Sequence, residues 1–185
     1  SLEERNPFWQ GRAERNLTLA RQTNAQAGLP LDERQLEAAV LLHDVGMAFL
    51  PDPLWTKHGK FTESDTLAVQ AHVALGAQLL TQMMVWGGAV QMVSQHHERM
   101  DGSGYPRGLS GDAICSGARL LAILDAFEAM THERGDRDQR RSILRAVTEL
   151  NACENQFDHQ WMVYFNAVAR QLLARPAPSE STTTP

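Results

Sequence analysis

Imidazoles and carboxylates gather at four places in this 185-residue chain: His43-Asp44, His72, His96-His97 and Asp125. Imidazole nitrogens and carboxylate oxygens are the donor set for a borderline transition metal such as Fe, Mn, Ni or Zn. Asp44, with two oxygens, can bridge two ions. A pair of ions of this kind activates bound water and stabilises the entering and leaving oxygens at phosphorus, so phosphodiester hydrolysis suits the set best. Each residue has a plainer reading when taken alone. His72 sits on a helix face with Ala68, Leu75, Gly76 and Leu79, since positions three, four and seven apart share one side; a core histidine bonded to a carbonyl would look the same. Asp125, beside Leu121, Ala122 and Ala129, would serve equally as half of a buried salt bridge.

The stretch HHERMDGSGYPRGLSG, residues 96 to 111, adds a glycine-rich turn to the paired histidines. Gly102, Gly104, Gly108 and Gly111 permit torsions closed to other residues and let a ligand approach the backbone. Tyr105 offers a flat face for a base, and Pro106 stiffens the turn. A plain Asp-Gly turn accounts for part of this run and poorly for all of it. On a regular helix His96 and His97 diverge by about 100°, so both reach one place only if that place is a wide, multi-atom site.

The elements that must position these residues all read as helix. Residues 13 to 27 form the first, stopped by Gly28 and Pro30. Asp32 caps the next, with Gln35 completing a capping box; this helix delivers His43-Asp44 at its C-terminal end. Prolines and glycines between 46 and 59 predict a loop. Thr62 caps a helix running to about Met84, Gly87-Gly88 breaks it, and residues 89 to 100 form a short helix leading into the glycine loop. Ile114 to Thr131 has the spacing of a long buried helix. Arg141 to Leu150 and Asp158 to Leu173 complete an all-α bundle.

Composition narrows the field further. No apolar run approaches the ~20 residues needed to span a bilayer, and no membrane contact is expected from this segment. The first residues are too polar for a signal peptide. The chain lacks an initiator Met and is expected to be a piece of a longer protein, with one domain over residues 1–175 and a disordered tail over 176–185, rich in Pro, Ser and Thr. Cys115 and Cys153 suggest no disulfide framework, which points to the cytoplasm. A net charge of −5 argues against a nucleic-acid partner but leaves room for a small anionic ligand.

His43-Asp44 and the run from 96 to 114 strongly resemble the HD-GYP family of bacterial cyclic di-GMP phosphodiesterases. The family pattern HHE-x-x-DG-x-GYP-x-GL-x-G-x-x-I is met at every specified position. LPDPLWTKHGKFT, DAFEAMTHER and FDHQWMVYF resemble further family segments, so the likeness covers most of residues 12 to 168. The resemblance implies an HD-superfamily helical bundle with a GYP loop, holding transition metal ions, usually iron or manganese. It implies metal ligands at His43, Asp44, His72, His96, His97 and Asp125, with Asp44 central to catalysis. It also implies contacts to the dinucleotide from Gly104, Tyr105, Pro106, Arg134 and Arg137. A solvated charge cluster is the plainer reading of those two arginines.

The chain departs from the family pattern in two places. Arg12 stands where the pattern GHS-x-RV has a metal histidine, no histidine precedes His43, and Phe8 stands where an acid is often found one turn earlier. Met47 replaces the lysine of HD-x-GK. One metal position would keep Asp44, His72, His96 and His97, and its neighbour only His43, Asp44 and Asp125; a third ion is not expected. Arg12 is expected to replace a missing cation, its guanidinium lying among Asp44 and Asp125, where a fixed positive charge offsets the carboxylates.

The resemblance thus leads to a metal-dependent phosphodiesterase that opens cyclic di-GMP to pGpG and GMP, with one or two ions. The alternative is a degenerate module that binds the dinucleotide, or a diguanylate cyclase (GGDEF-type) domain, without turnover. Hydrolysis of another nucleotide fits the complete GYP loop less well.

Overall fold

A computed structural model of the chain describes residues 2–5, 9–51, 54, 60–84, 86–132, 139–153 and 155–174. The described residues are all-α, their one β feature an isolated bridge between Asp101 and Ser110. The helices are α1 (Leu2–Arg5), α2 (Arg12–Gln26), α3 (Glu33–Leu42), α4 (Glu63–Gln82), α5 (Gly87–Gln95), α6 (Ser116–His132), α7 (Gln139–Ala152) and α8 (His159–Ala174). Short 3-10 turns cover Val45–Phe49 and Gly111–Ala113.

The centre of the bundle is α6. Leu120, Leu121, Ile123 and Leu124 are all fully buried, and a helix apolar on every side belongs inside. It packs against α2, α5, α7 and α8, while α3 bridges α2 and α5, and α4 lies across α5 and the 45–49 turn. One core joins Leu36, Val40, Val93, Leu121, Phe165 and Val168 from four of these helices. None of the described helices is long and apolar enough to cross a membrane.

Several helix ends follow from single residues. Thr62 and Asp65 form a reciprocal capping box at α4. Asp158 accepts from Trp161 N at 2.9 Å and starts α8. Asp32 accepts from Gln35 N at 2.9 Å, but Gln35 uses its own Oε1 to receive Ala89 N at the start of α5, tying two helices together. The expected box is therefore partly redirected by a tertiary partner.

Other expectations need correction. The short helix before the glycine loop ends at Gln95, so residues 96 to 100 form a turn. Gly87 and Gly88 begin α5 rather than separating helices. The first part of the expected loop after Asp44 is a 3-10 turn. Residues 52, 53 and 55–59 of that loop, the arginines at 134 and 137, and the tail from 175 lie outside the described residues.

Candidate metal centre

Three histidines reach one place by the same local device. His43, at the end of α3, bonds through Nδ1 to Val40 O at 2.8 Å. His72 in α4 does so to Val69 O at 2.5 Å, and His96, at the end of α5, to Val93 O at 2.7 Å. In a neutral ring, an Nδ1 that donates to a carbonyl fixes the tautomer and leaves the lone pair on Nε2. All three rings are buried, and their Nε2 atoms converge on Asp44.

Asp44 divides its two oxygens between neighbours. Oδ1 lies 3.3 Å from His72 Nε2 and 3.9 Å from His96 Nε2. Oδ2 lies 3.2 Å from His43 Nε2 and 2.9 Å from an Arg12 terminal nitrogen. Asp125, reached from α6, sets Oδ1 3.7 Å from His43 Nε2 and Oδ2 3.9 Å from His97 Nδ1. The other terminal nitrogen of Arg12 bonds Asp125 Oδ1 at 2.5 Å. One turn along both helices Arg15 pairs with Glu128, its Nε 3.0 Å from Oε1, so α2 and α6 are clamped at two successive levels.

Close backbone contacts make this convergence possible. A Cβ on Gly46 would meet His72 O at 2.0 Å, so the turn carrying Asp44 lies directly on α4. Gly104 plays the same part beneath the loop, where a Cβ would come 2.4 Å from His97 O. The close approach expected of a ligand at Gly104 is thus made by the chain itself. Glu98, buried, receives Arg107 N and Leu109 N, both at 2.8 Å, one on each oxygen. It holds the loop folded back over the histidines, and Pro106 lies exposed on the outer side.

His97 follows the helix end, and its ring stacks against Tyr105 with centroids 4.7 Å apart. That contact takes one face of Tyr105, so a base can stack only on the other. The rings of His96 and His97 are 4.0 Å apart; leaving the helix at Gln95 is what lets adjacent residues serve one site. Trp9 covers the Arg12 guanidinium from the opposite side, 4.4 Å from ring centroid to Cζ. A cavity of about 320 Å³ lined by Trp9, Arg12, His43 and Asp44 opens there. Met47, in the 45–49 turn, is half-buried and brings no charge.

The electrostatics follow from burial and charge together. Burial alone would raise the carboxyl of Asp44, but His43, His72 and Arg12 outweigh it and hold Asp44 well below the usual range. Asp125 is likewise held low against burial, by the neighbouring His43 and by Arg12. His43, though burial opposes its protonation, is raised to about 10 by Asp44 and Asp125. Burial pushes His96 well down, aided by His97 and His43, and lowers His97 to about 4. Burial also pushes the Tyr105 phenol up, keeping it protonated.

The residues fit a metal ion. Asp44, His72, His96 and His97 form one group of donors within 4.8 Å of one another, and His43, Asp44 and Asp125 a second. His72 and His96 point their lone pairs at each other, Nε2 to Nε2 at 3.5 Å, an arrangement that calls for a cation between them. His43 Nε2 is buried without a hydrogen bond among the described residues, despite the nearby carboxylates. Metal–ligand bonds of about 2.0–2.2 Å place neighbouring donors roughly 3.0–3.5 Å apart; His72 Nε2 lies 3.3 Å from Asp44 Oδ1 and 3.5 Å from His96 Nε2, while the Asp44–His96 separation of 3.9 Å is wider.

A helical bundle with a buried histidine–aspartate centre is the class this geometry defines, and comparison with known proteins places it further. A family model for the HD domain matches residues 1–160. The chain belongs to the HD domain family, in its HD-GYP form. It is 34% identical over 134 residues to a 3'3'-cGAMP-specific phosphodiesterase (number 3) of Vibrio cholerae, covering 72% of this chain and 29% of that protein. It is 41% identical over 113 residues to the cyclic di-GMP phosphodiesterase response regulator RpfG of Xanthomonas campestris pv. campestris, covering 59% and 30%. The chain thus spans about 30% of the length of these curated relatives. Among solved structures, an HDG"Y"P protein from Bdellovibrio bacteriovorus shares the fold with a TM-score of 0.65 at 19% identity, over 84% of this chain and 50% of that one.

Reading the sequence missed three contributors. Glu98 was visible only as an acid beside two histidines; its bonds to 107 and 109 depend on the loop's path. Trp9 gave no signal before its contact with Arg12 was seen. Glu3 receives Gly11 N at 2.9 Å and Ala13 N at 3.0 Å, so α1 caps α2 just where Arg12 begins.

Proposed function

We propose that this chain is a metal-dependent phosphodiesterase domain that hydrolyses cyclic di-GMP to pGpG and onward to GMP, with reduced metal content. The observation carrying this reading is the convergence of three buried Nε2 atoms, from His43, His72 and His96, on the carboxylate of Asp44. The nitrogen and oxygen donors suit iron or manganese, and also accept nickel or zinc. Asp44, His72, His96 and His97 would hold one ion, with His43 and Asp125 as the remaining donors.

A bound ion supplies a Lewis acid that polarises phosphoryl oxygen and lowers the pKa of water. Asp44 is the catalytic carboxylate, kept ionised by its neighbours and turned to both donor groups. The neutral His96 and His97 keep their lone pairs available near neutral pH. The protonated phenol of Tyr105 donates a hydrogen bond to a phosphate or base, and its free face takes a base. Gly104 and Pro106 set the shape of that wall. Arg134 and Arg137, outside the described residues, are assigned to the anionic dinucleotide by the match to the HD-GYP pattern. The names of the relatives, which specify cyclic di-GMP and 3'3'-cGAMP, support a cyclic dinucleotide as substrate. In this reading residues 1–175 act as one domain of a longer cytoplasmic protein.

A second reading is a degenerate module that binds cyclic di-GMP, or a GGDEF-type diguanylate cyclase, without turnover. The ion pairs of Arg12 with Asp44 and Asp125 favour it, as does the uncharged Met47. Equilibrium dialysis of the Mn(II)-loaded protein against cyclic di-GMP, with substrate followed over time, separates the readings. Binding with steady loss of the cyclic form supports the enzyme. Binding without loss supports the module, and no binding contradicts both.

A further inference from the structure

We infer that the Arg12 guanidinium permanently occupies the second of the two cation positions defined by Asp44, so that the centre takes a single metal ion beside His72, His96 and His97. This rests on the metal-dependent reading above and specifies how many ions that centre holds.

The argument turns on individual oxygens. Asp44 belongs to both donor groups and faces them with different atoms. Oδ1 is turned to His72 and His96, whereas Arg12 makes its ion pair at Oδ2. Oδ2 and Asp125 Oδ1 are the oxygens turned to His43 Nε2, at 3.2 and 3.7 Å. Those same two oxygens receive Arg12, at 2.9 and 2.5 Å from its two terminal nitrogens. An ion on the His43 side would need donors that the guanidinium already holds. On the other side Oδ1 meets imidazole nitrogens, which an ion can use as donors.

Arg12 is built to stay there. A guanidinium remains charged at any ordinary pH and its planar fork matches a pair of carboxylate oxygens. Its side chain is only 13% exposed, and the Trp9 ring lies 4.4 Å over it. Its Nε has no acceptor among the described residues, so the two carboxylates fix its position. The helix that carries it is fixed from below by Glu3, through Gly11 N and Ala13 N, and from the side by Arg15 and Glu128. Chemically the substitution is unequal. The guanidinium neutralises charge and can donate to a phosphate oxygen, but it has no open coordination position.

The test is metal content. The wild-type chain, Arg12→His and Asp44→Ala are loaded anaerobically with Mn(II), freed of excess ion and analysed by elemental analysis and low-temperature EPR. The expected result is one Mn per chain in the wild type, with the spectrum of an isolated ion. Arg12→His is expected to rise to two, with a spectrum broadened by exchange between neighbouring ions, and Asp44→Ala to fall to none. Two ions in the wild type would overturn the inference while leaving the metal-dependent reading intact. No ion in the wild type would overturn both. One ion in a folded Arg12→His would overturn the assignment to Arg12; if that variant does not fold, the wild-type count and spectrum decide.

Discussion

Gly46 lies so close against His72 that a Cβ at position 46 would come within 2.0 Å of the His72 carbonyl oxygen. This contact joins the turn carrying Asp44 to the helix carrying His72, so the two side chains share a place because one residue lacks a side chain. The obstacle is backbone, which cannot rotate away. Gly46→Ala is expected to cost about 2–3 kcal/mol and to lower the melting temperature by roughly 4–12 °C. It should also weaken Mn(II) binding by separating Asp44 from His72. Thermal denaturation followed by circular dichroism checks the first effect; an unchanged transition would mean the two segments can part without cost.

Glu98 ties the glycine loop to the histidine turn through two backbone amides. Replacing it by Gln turns one acceptor into a donor facing an N–H, and a buried unsatisfied amide costs about 1–3 kcal/mol. Glu98→Gln is expected to speed hydrogen exchange at Arg107 and Leu109 while leaving the amides of α6 protected. Equal exchange in both proteins would show that other contacts hold the loop.

A ligand that binds only the folded chain stabilises it by mass action. Saturating Mn(II) is expected to raise the melting temperature, and a chelator to return it to the metal-free value. His96→Ala should remove the response, since His96 Nε2 faces both His72 and Asp44. A metal response that persists in His96→Ala would place the ion elsewhere.

The metal-free chain should be most stable near pH 6.5. Between 6.5 and 4 an unfolded imidazole takes up protons while His97, lowered to about 4, and His96, held well below its usual value by burial, resist protonation in the fold. The unfolded state then binds more protons, and stability falls as pH drops. His43 acts in the opposite sense. Raised to about 10, it contributes fully below 6.5 and loses that contribution as pH rises toward 10. Urea titrations of chelated protein across this range measure the curve, and a monotonic dependence would contradict it.

The clustering of these histidines and aspartates is legible because its signals are chemical and local: a histidine on an apolar face, an aspartate in a buried stripe, a motif of fixed spacing. The expected division of Asp44 between two donor groups and the position of Arg12 beside Asp44 and Asp125 agree with the geometry. What could not be read depends on partners distant in sequence. Gln35 meets Ala89 instead of only its own helix end. The helix before the glycine loop stops at Gln95, where Gln95 Oε1 receives Cys115 N at 2.7 Å. Glu3 and Trp9 meet the start of α2 through contacts that no periodicity marks. Propensity describes what a segment prefers alone, and these ends are decided by what packs against them.

The central claim is tested most directly by the products of the reaction. The chain, purified without oxygen, is incubated with cyclic di-GMP and Mn(II) or Fe(II), and the mixture separated by chromatography, with Asp44→Ala and chelated protein as controls. Appearance of pGpG or GMP, absent from both controls, is the expected result. Cyclic di-GMP recovered intact with either metal from folded, metal-loaded protein would contradict the account.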